Sequence, residues 1–229
     1  MRKVAESTVR RLSLYLRFLE DFEHQGTETI SSEALAHLGG TTSAQVRKDL
    51  SCFGSFGKRG LGYGVPELAE QLREILGLTR RYRVAMIGAG KIGSALVHYR
   101  GFQQRGFDIE AIFDSDPSKV GHEWNGLKVR SIADLEVALQ AQPCDMAIIV
   151  TPSDVAQDIA DRLIRLGVKA LMNFAPIQLA VPEDVVVKHV NLALELETLS
   201  YALANRDTIS NGNGNGNGNG NGTGLAGRA

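Results

Sequence analysis

The chain has 229 residues and a mass of 24.7 kDa, which is room for one large domain or two small ones. Charged residues make up 22% and hydrophobic residues 43%, the balance of a soluble globular protein able to bury a sizeable core without staples. The only cysteines, Cys52 and Cys144, exclude a disulfide scaffold and a Cys-rich zinc module, and no metal site is expected. No apolar run approaches the ~18 residues of a membrane-spanning helix, and the first residues, MRKVAESTVRR, lack the apolar core of a signal peptide, so a cytoplasmic protein with no membrane partner is expected.

The net charge of −1 divides unevenly. Residues 1–83 carry 13 Lys/Arg against 10 Asp/Glu, whereas residues 84–229 carry 12 against 16. Within 43–66 the basic residues are Arg47, Lys48, Lys58 and Arg59, with Asp49 the single acid. Such a patch on a nearly neutral protein favours a polyanion partner.

In chain order, Val9, Leu12, Leu16, Leu19 and Phe22 recur at spacings of three and four, the stripe of an amphipathic helix. Gly26 breaks it. A second helix starts near Ser31 or Ser32, carries Ala34, Leu35 and Leu38, and stops at Gly39-Gly40. A third starts at Thr42, which with Gln45 fits a capping box, and runs through Val46 and Leu50 to about Phe53. Residues 54–64 hold five glycines in eleven positions, too many for a helix, and the interleaved aromatics suit a short hairpin. Pro66 then opens a helix over Glu67–Leu76 that Gly77 ends.

From Arg81 the pattern changes. Short apolar runs at Arg83–Ile87, Ile109–Phe113, Met146–Val150, Val168–Met172 and Val185–Val187 read as buried strands, with helical stretches including Ile132–Leu139 and Val155–Leu166 between them. That alternation implies a parallel, doubly wound sheet. A last helix, Leu192–Ala204, carries Leu192, Leu196, Leu199 and Leu203 on one stripe with no obvious place on its own sheet. Residues 211–222 are six Asn-Gly repeats, which bury no apolar area and are expected to be disordered.

Gly88-Ala89-Gly90-Lys91-Ile92-Gly93 matches G-x-G-x-x-G between a strand and a helix, the context that motif requires. Gly88 allows the tight turn, Gly90 lets a pyrophosphate reach the backbone, and Gly93 lets the helix pack on the strand. The helix start offers free N–H groups to phosphate. Asp114 ends the next strand 21 residues past Gly93, where an acid accepts from a ribose 2′-hydroxyl and repels a 2′-phosphate, favouring NAD(H). The alternative for Asp114 is an acid that caps its own turn, Asp114-Ser115-Asp116-Pro117. A second turn, Thr151-Pro152-Ser153, follows the strand at 146–150 and is expected to line the same crevice.

Upstream, the short helix, the glycine turn and the capped basic helix form a helix-turn-helix, with 54–64 as a wing. Ser43, Gln45, Arg47 and Lys48 lie on or beside the exposed face of the third helix, and Lys58, Arg59 and Tyr63 lie on the wing, all candidates for DNA contact. A three-helix oligomerisation or lid domain is the alternative.

The run Arg47-Lys48-Asp49-Leu50-Ser51-Cys52-Phe53-Gly54-Ser55-Phe56-Gly57-Lys58-Arg59-Gly60-Leu61-Gly62-Tyr63 resembles the signature of the Rex redox-sensing transcriptional repressors. So do Gly88–Gly93 with Tyr99, Phe113–Pro117, Asn173-Phe174-Ala175-Pro176 and the closing Leu192–Tyr201. The resemblance covers about residues 4–204. It implies an α/β protein: a winged helix-turn-helix domain (1–79), a Rossmann NAD(H)-binding domain (80–190) and a dimerisation helix (191–206) that swaps onto the partner, followed by the Asn-Gly-rich tail (207–229). It implies a homodimer on palindromic operator duplex DNA, released by NADH and permitted by NAD+. It places Tyr99 and Phe174 among the cofactor residues, and Asn191, Leu192 and Arg17 near the nicotinamide end. Two residues depart from the family: Cys52 stands where a Tyr is frequent, and Asn191 where a carboxylate is common.

The alternative function is an NAD-dependent dehydrogenase with a helical substrate domain. That chemistry needs an acid or base near the nicotinamide and a substrate cavity. His98 lies on the helix after the glycine turn and reads as a core or surface residue, His122 and His189 sit in or beside turns without an evident partner, and residues 81–190 leave no second domain for a substrate, so no enzymatic activity is expected. A CoA-binding regulatory protein shares the core, but Asp114 favours a ribose diol.

Overall fold

The computed structural model describes residues 4–57 and 60–206. Lys58, Arg59 and the Asn-Gly repeats lie outside the described residues, and so do the expectations placed on them. The chain divides into two compact units, one of residues 1–84 with 98–110, the other of 85–97 with 111–229.

The first unit holds α1 (Glu6–His24), β1 (Thr29–Ile30), α2 (Ser32–Leu38), α3 (Ser43–Ser51), β2 (Tyr63–Gly64) and α4 (Val65–Ile75). Leu12, Leu16 and Leu19 of α1 are fully buried against Leu35, Val46, Leu50, Leu68 and Leu72. Each such side chain contributes about 1.5–3 kcal/mol of burial, so Leu16→Ala at the centre is the change that would break this core. Tyr15 joins the stripe, whereas Val9 and Leu38 point to solvent. Their helical spacing is right, but each sits at an end of its helix, where the core no longer covers it.

Ser31 caps α2, its hydroxyl accepting from the Ala34 N–H at 3.1 Å, and Thr42 caps α3 in the same way through Gln45 N–H at 3.1 Å. The expected capping box is half made. The Gln45 side chain does not reach back to Thr42 but donates to Asp49. The helix ends at Ser51, short of Phe53. The wing differs too: the partner of Tyr63–Gly64 is not another stretch of 54–64 but β1, through the antiparallel pairs Thr29↔Gly64 and Ile30↔Tyr63. Gly57 and Gly62 both adopt positive φ, and a Cβ at Gly62 would lie 2.5 Å from the Ile30 carbonyl oxygen, so the loop must be glycine to close on β1. Pro66 sits in the first turn of α4, and Gly77, at φ +71°, follows its C-terminus.

The seven-stranded sheet runs β5 (Glu123–Trp124), β6 (Leu127–Ser131), β4 (Phe107–Asp114), β3 (Tyr82–Ile87), β7 (Met146–Ile149), β8 (Ala170–Asn173), β9 (Val186–His189). The pairs β4–β6, β7–β8 and β8–β9 are parallel. Helices α5 (Lys91–Val97), α6 (Arg100–Gln104), α7 (Leu135–Ala141) and α8 (Ser153–Arg165) connect the strands. Setting aside the β5 edge, β3 is the first strand of the unit and the order runs outward from it both ways, so the reversal falls between β3 and β7. That reversal is where an open sheet of this class binds ligands, at the carboxyl ends of its strands. The core between sheet and helices is Ala85, Ile87, Phe113, Ile149, Ile159, Leu163 and Leu171.

A hairpin, β5–β6, forms the edge of the sheet beyond the expected strands. It turns at Asn125 (φ 50°) and Gly126 (φ 78°), and Asn-Gly between strands is the strongest short hairpin signal. The last helix, α9 (Leu192–Ala204), has the expected bounds and buries none of its residues; Leu192, Leu196, Leu199 and Leu203 are 60–71% exposed. Among the described residues no helix is long and apolar enough to cross a membrane.

Candidate functional site

The glycine turn leaves β3 at the reversal point. Gly88 has φ +110°, and a Cβ there would stand 2.5 Å from the Val150 carbonyl oxygen, so neither the dihedral nor the space admits a side chain. At Gly93 a Cβ would fall on the Gly88 carbonyl oxygen, which is why α5 can start so close to its strand. At Gly90 a Cβ would meet nothing within 4 Å. Packing within the chain therefore explains two of the glycines and not the third. Gly90 guards open space, the arrangement a pyrophosphate lying on the backbone requires.

The strand ends around the turn are tied together. Gly88 N–H donates to Phe113 O and Val150 N–H to Ile87 O, each at 2.8 Å, and Phe174 N–H donates to Ile149 O at 2.9 Å. These bonds bring Gly88–Gly93, Asp114, Thr151, Pro152 and Phe174 to one edge of the sheet. Lys91 and Ile92 are exposed on the first turn of α5, Ala89 is buried, and Phe174 is half-buried. Pro152 precedes α8 as its N-cap. The Thr151 hydroxyl oxygen is buried without a hydrogen-bond partner among the described residues. A buried hydroxyl left unsatisfied costs about 1–3 kcal/mol, so a polar ligand group at that edge would relieve it.

Asp114, 8% exposed, ends β4. Its Oδ2 accepts from Ala89 N–H at 2.6 Å and its Oδ1 from Asp116 N–H at 2.8 Å. The acid thus ties down the glycine turn and caps its own turn, the alternative read from the sequence. Lys119 Nζ lies 3.3 Å from Asp114 Oδ2, a partner that sequence reasoning missed; its spacing of five after the acid carries no established signal.

Tyr99 is not on the helix that follows the glycine turn. That helix stops at Val97, and Tyr99 sits in the break before α6, more than half exposed, its ring over Gly101 and edge-on to Phe102 at 5.1 Å between centroids. It belongs to the first compact unit, where it lines a cavity of about 620 Å³ with Arg17, Glu20, Arg73 and Arg105. His98 lies in the same break. Asn191 caps α9, its Oδ1 accepting from Ala193 N–H at 3.0 Å, and His189 Nδ1 lies 3.2 Å from the Asn173 amide nitrogen.

In the first unit α3 presents Ala44, Arg47 and Lys48 to solvent, with Ser43 and Gln45 half-buried at its edge. Arg47 donates to the Ser32 hydroxyl at 2.8 Å and lies 3.7 Å from Glu33, so α2 holds its guanidinium. Tyr63 departs from the expectation of an exposed wing aromatic. It is 8% exposed in the core, because β2 pairs with β1 and turns the ring inward. Cys52 is exposed at the end of α3.

The group on α3 that the sequence did not reveal is Asp49, 1% exposed. Arg11 meets it bidentately, Nε to Oδ2 at 2.6 Å and Nη2 to Oδ1 at 2.7 Å; Tyr15 donates to Oδ2 at 3.1 Å, Gln45 to Oδ1 at 2.8 Å and Thr8 to Oδ1 at 3.4 Å. Burial alone would raise the carboxyl pKa, but the bonds from Arg11, Gln45 and Tyr15 outweigh it and hold the group below its ordinary range. Tyr15 is pushed up to about 12, by burial first and the Asp49 charge second. The single acid of the basic patch is therefore spent inward, and the outward face of α3 keeps its positive charge.

Residues 3–51 match a family described as putative DNA-binding protein N-terminus, and residues 79–177 one described as CoA binding domain. Along most of its length the chain is similar to the redox-sensing transcriptional repressors Rex of Carboxydothermus hydrogenoformans and Desulfitobacterium hafniense. Each is 46% identical, over 87% and 89% of this chain and 96% and 97% of the relative. Among solved structures it is similar to RSP, a Rex-family repressor, in complex with β-NADH (TM-score 0.83, 37% identity, 92% of this chain and 99% of that one). It is similar also to RSP in complex with β-NAD+ and operator DNA (TM-score 0.85, 38% identity, 92% and 97%).

Proposed function

The chain belongs to the Rex family of redox-sensing transcriptional repressors, and we propose that it binds operator DNA and is released from it as the NADH/NAD+ ratio rises. The observation that carries this reading is likeness at 46% identity to repressors spanned almost end to end, so both halves of the chain are covered. The cofactor is NAD(H), with Gly88–Gly93, Asp114, Thr151, Pro152, Phe174 and Tyr99 as its residues. The open space at Gly90 and the orphaned Thr151 hydroxyl support that assignment. When bound, the cofactor supplies a nicotinamide whose charge and ring planarity differ between its two forms. The protein's part is to hold the shared adenosine and pyrophosphate in place and to couple the nicotinamide end to DNA affinity. A ligand moves such an equilibrium only by its differential affinity for the two states.

The first 79 residues read DNA through α3 with Ser43, Gln45, Arg47 and Lys48, and Lys58 and Arg59 reach an adjacent groove or the backbone; Tyr63 acts from the core. Residues 80–190 bind the dinucleotide. The helix over 191–206 joins two copies into a homodimer, which its unburied leucine stripe supports, and a two-fold dimer matches a palindromic operator. The curated relatives are repressors, which supports a regulatory role rather than turnover. A gel shift on a palindromic duplex, titrated separately with NAD+ and NADH at fixed salt, tests the whole reading. NADH should displace the protein and NAD+ should not; specific binding that NADH leaves untouched would overturn the redox-sensor function.

A further inference from the structure

Gln45 is the third residue of α3, at the N-terminal end from which a helix in the major groove meets base edges. Its amide nitrogen donates to Asp49 Oδ1 at 2.8 Å, and its side chain makes no other hydrogen bond among the described residues. An ionised carboxylate only accepts, so the nitrogen end of the amide must face Asp49. The Asp49 carboxylate cannot turn away, because Arg11 and Tyr15 hold both of its oxygens from α1. With the N–H anti to Oε1 given to Asp49, one carboxamide edge remains: Oε1 and the syn N–H. That acceptor–donor pair matches adenine, whose N6–H₂ donates and whose N7 accepts.

We propose that Asp49 is the positioning residue that makes Gln45 an adenine reader, by fixing which end of its amide faces outward from α3. This rests on the repressor reading above. An uncharged amide at position 49 could donate to Gln45 Oε1 and let the amide turn over, offering two N–H groups to the O6 and N7 acceptors of guanine. The specificity then comes from a buried residue that touches no base.

The test is a selection from a library of palindromic duplexes, which defines the preferred site of the unaltered protein, followed by binding to duplexes with each base pair of the half-site changed in turn. Gln45→Met should lose preference at one adenine-containing pair, a fall from about tenfold to less than about twofold. Asp49→Asn should lose adenine-over-guanine preference at that same pair, while preferences that depend on Arg47 stay. A structural role alone would weaken every duplex equally, and that pattern in Asp49→Asn overturns the proposal. So does a Gln45→Met protein with all base preferences intact. Should Asp49→Asn not fold, Gln45→Glu replaces it: a second acid is repelled by Asp49 and offers acceptors only, so preference at that pair should move to cytosine, and an unchanged preference overturns the proposal. Failure of the unaltered protein to select any duplex would refute the repressor reading itself, a separate outcome.

Discussion

Gly90→Val and Gly93→Ala separate two roles that a single motif lends to its glycines. At Gly90 an added Cβ meets nothing within 4 Å and the backbone is outside the positive-φ region, so the folded chain should accept valine within about 0.5 kcal/mol. The side chain would then occupy the space left for the pyrophosphate. Overpacking of that kind costs about 1–3 kcal/mol, so NADH affinity should fall about 5- to 150-fold. At Gly93 the added Cβ falls on the Gly88 carbonyl oxygen, a backbone atom pinned by the sheet, and α5 must move away. Because the clash is with a backbone atom, the cost to stability lies near the upper end, about 3 kcal/mol, and the roughly 1 kcal/mol helix preference of alanine over glycine leaves about 2 kcal/mol of destabilisation. At about 2–4 °C per kcal/mol for a chain of this size, Gly93→Ala should lower Tm by a few degrees. Differential scanning calorimetry with and without NADH, and a fluorescence titration of NADH, give both numbers. A Gly90→Val protein that binds NADH like the parent would refute the cradle, and a Gly93→Ala protein with parental Tm would refute the close helix approach.

Asp114→Ala should cost NADH affinity about 1.5–3 kcal/mol and narrow the preference over NADPH, measured by isothermal titration of both dinucleotides; unchanged affinity would remove the acid from the site. Leu196→Asp with Leu199→Asp places two charges on the stripe that α9 leaves uncovered, and ultracentrifugation should find monomers with weakened operator binding; an intact dimer would assign the interface elsewhere. Tyr15 should make stability sensitive to alkali. Its folded pKa of about 12 lies above the ordinary value of 10, so the folded state keeps the phenol proton longer, and the stabilisation is complete below pH ~10 and lost as pH rises toward 12. Tyr15→Phe should be about 1 kcal/mol less stable at neutral pH and should lose stability less steeply over that window, by urea unfolding at several pH values; equal slopes would count against the buried Tyr15–Asp49 contact.

Much of this protein is local in origin and was legible in the sequence. The caps at Ser31 and Thr42, the proline-led α4, the strands around the glycine turn and the bounds of α9 follow from spacing, capping chemistry and apolar runs, which act over a few residues. The Asn125-Gly126 hairpin is equally local, since the Asn-Gly pair itself carries the turn signal. Other features required distant parts of the chain to meet. The strand partner of Tyr63–Gly64 is Thr29–Ile30, more than thirty residues earlier, and that pairing alone turns Tyr63 inward. Asp49 read as the odd acid in a basic patch, because nothing in its neighbourhood announces Arg11 and Tyr15 as partners on α1. Helical spacing could place Val9 and Leu38 on an apolar face but could not say where the core ends. The motif assigns its three glycines to a tight turn, a pyrophosphate and a helix approach, but it carries no distances. Only the packed chain separates Gly88 and Gly93, whose missing side chains its own backbone requires, from Gly90, whose missing side chain serves something else: periodicity reports which face a residue is on, and tertiary contact decides what that face meets.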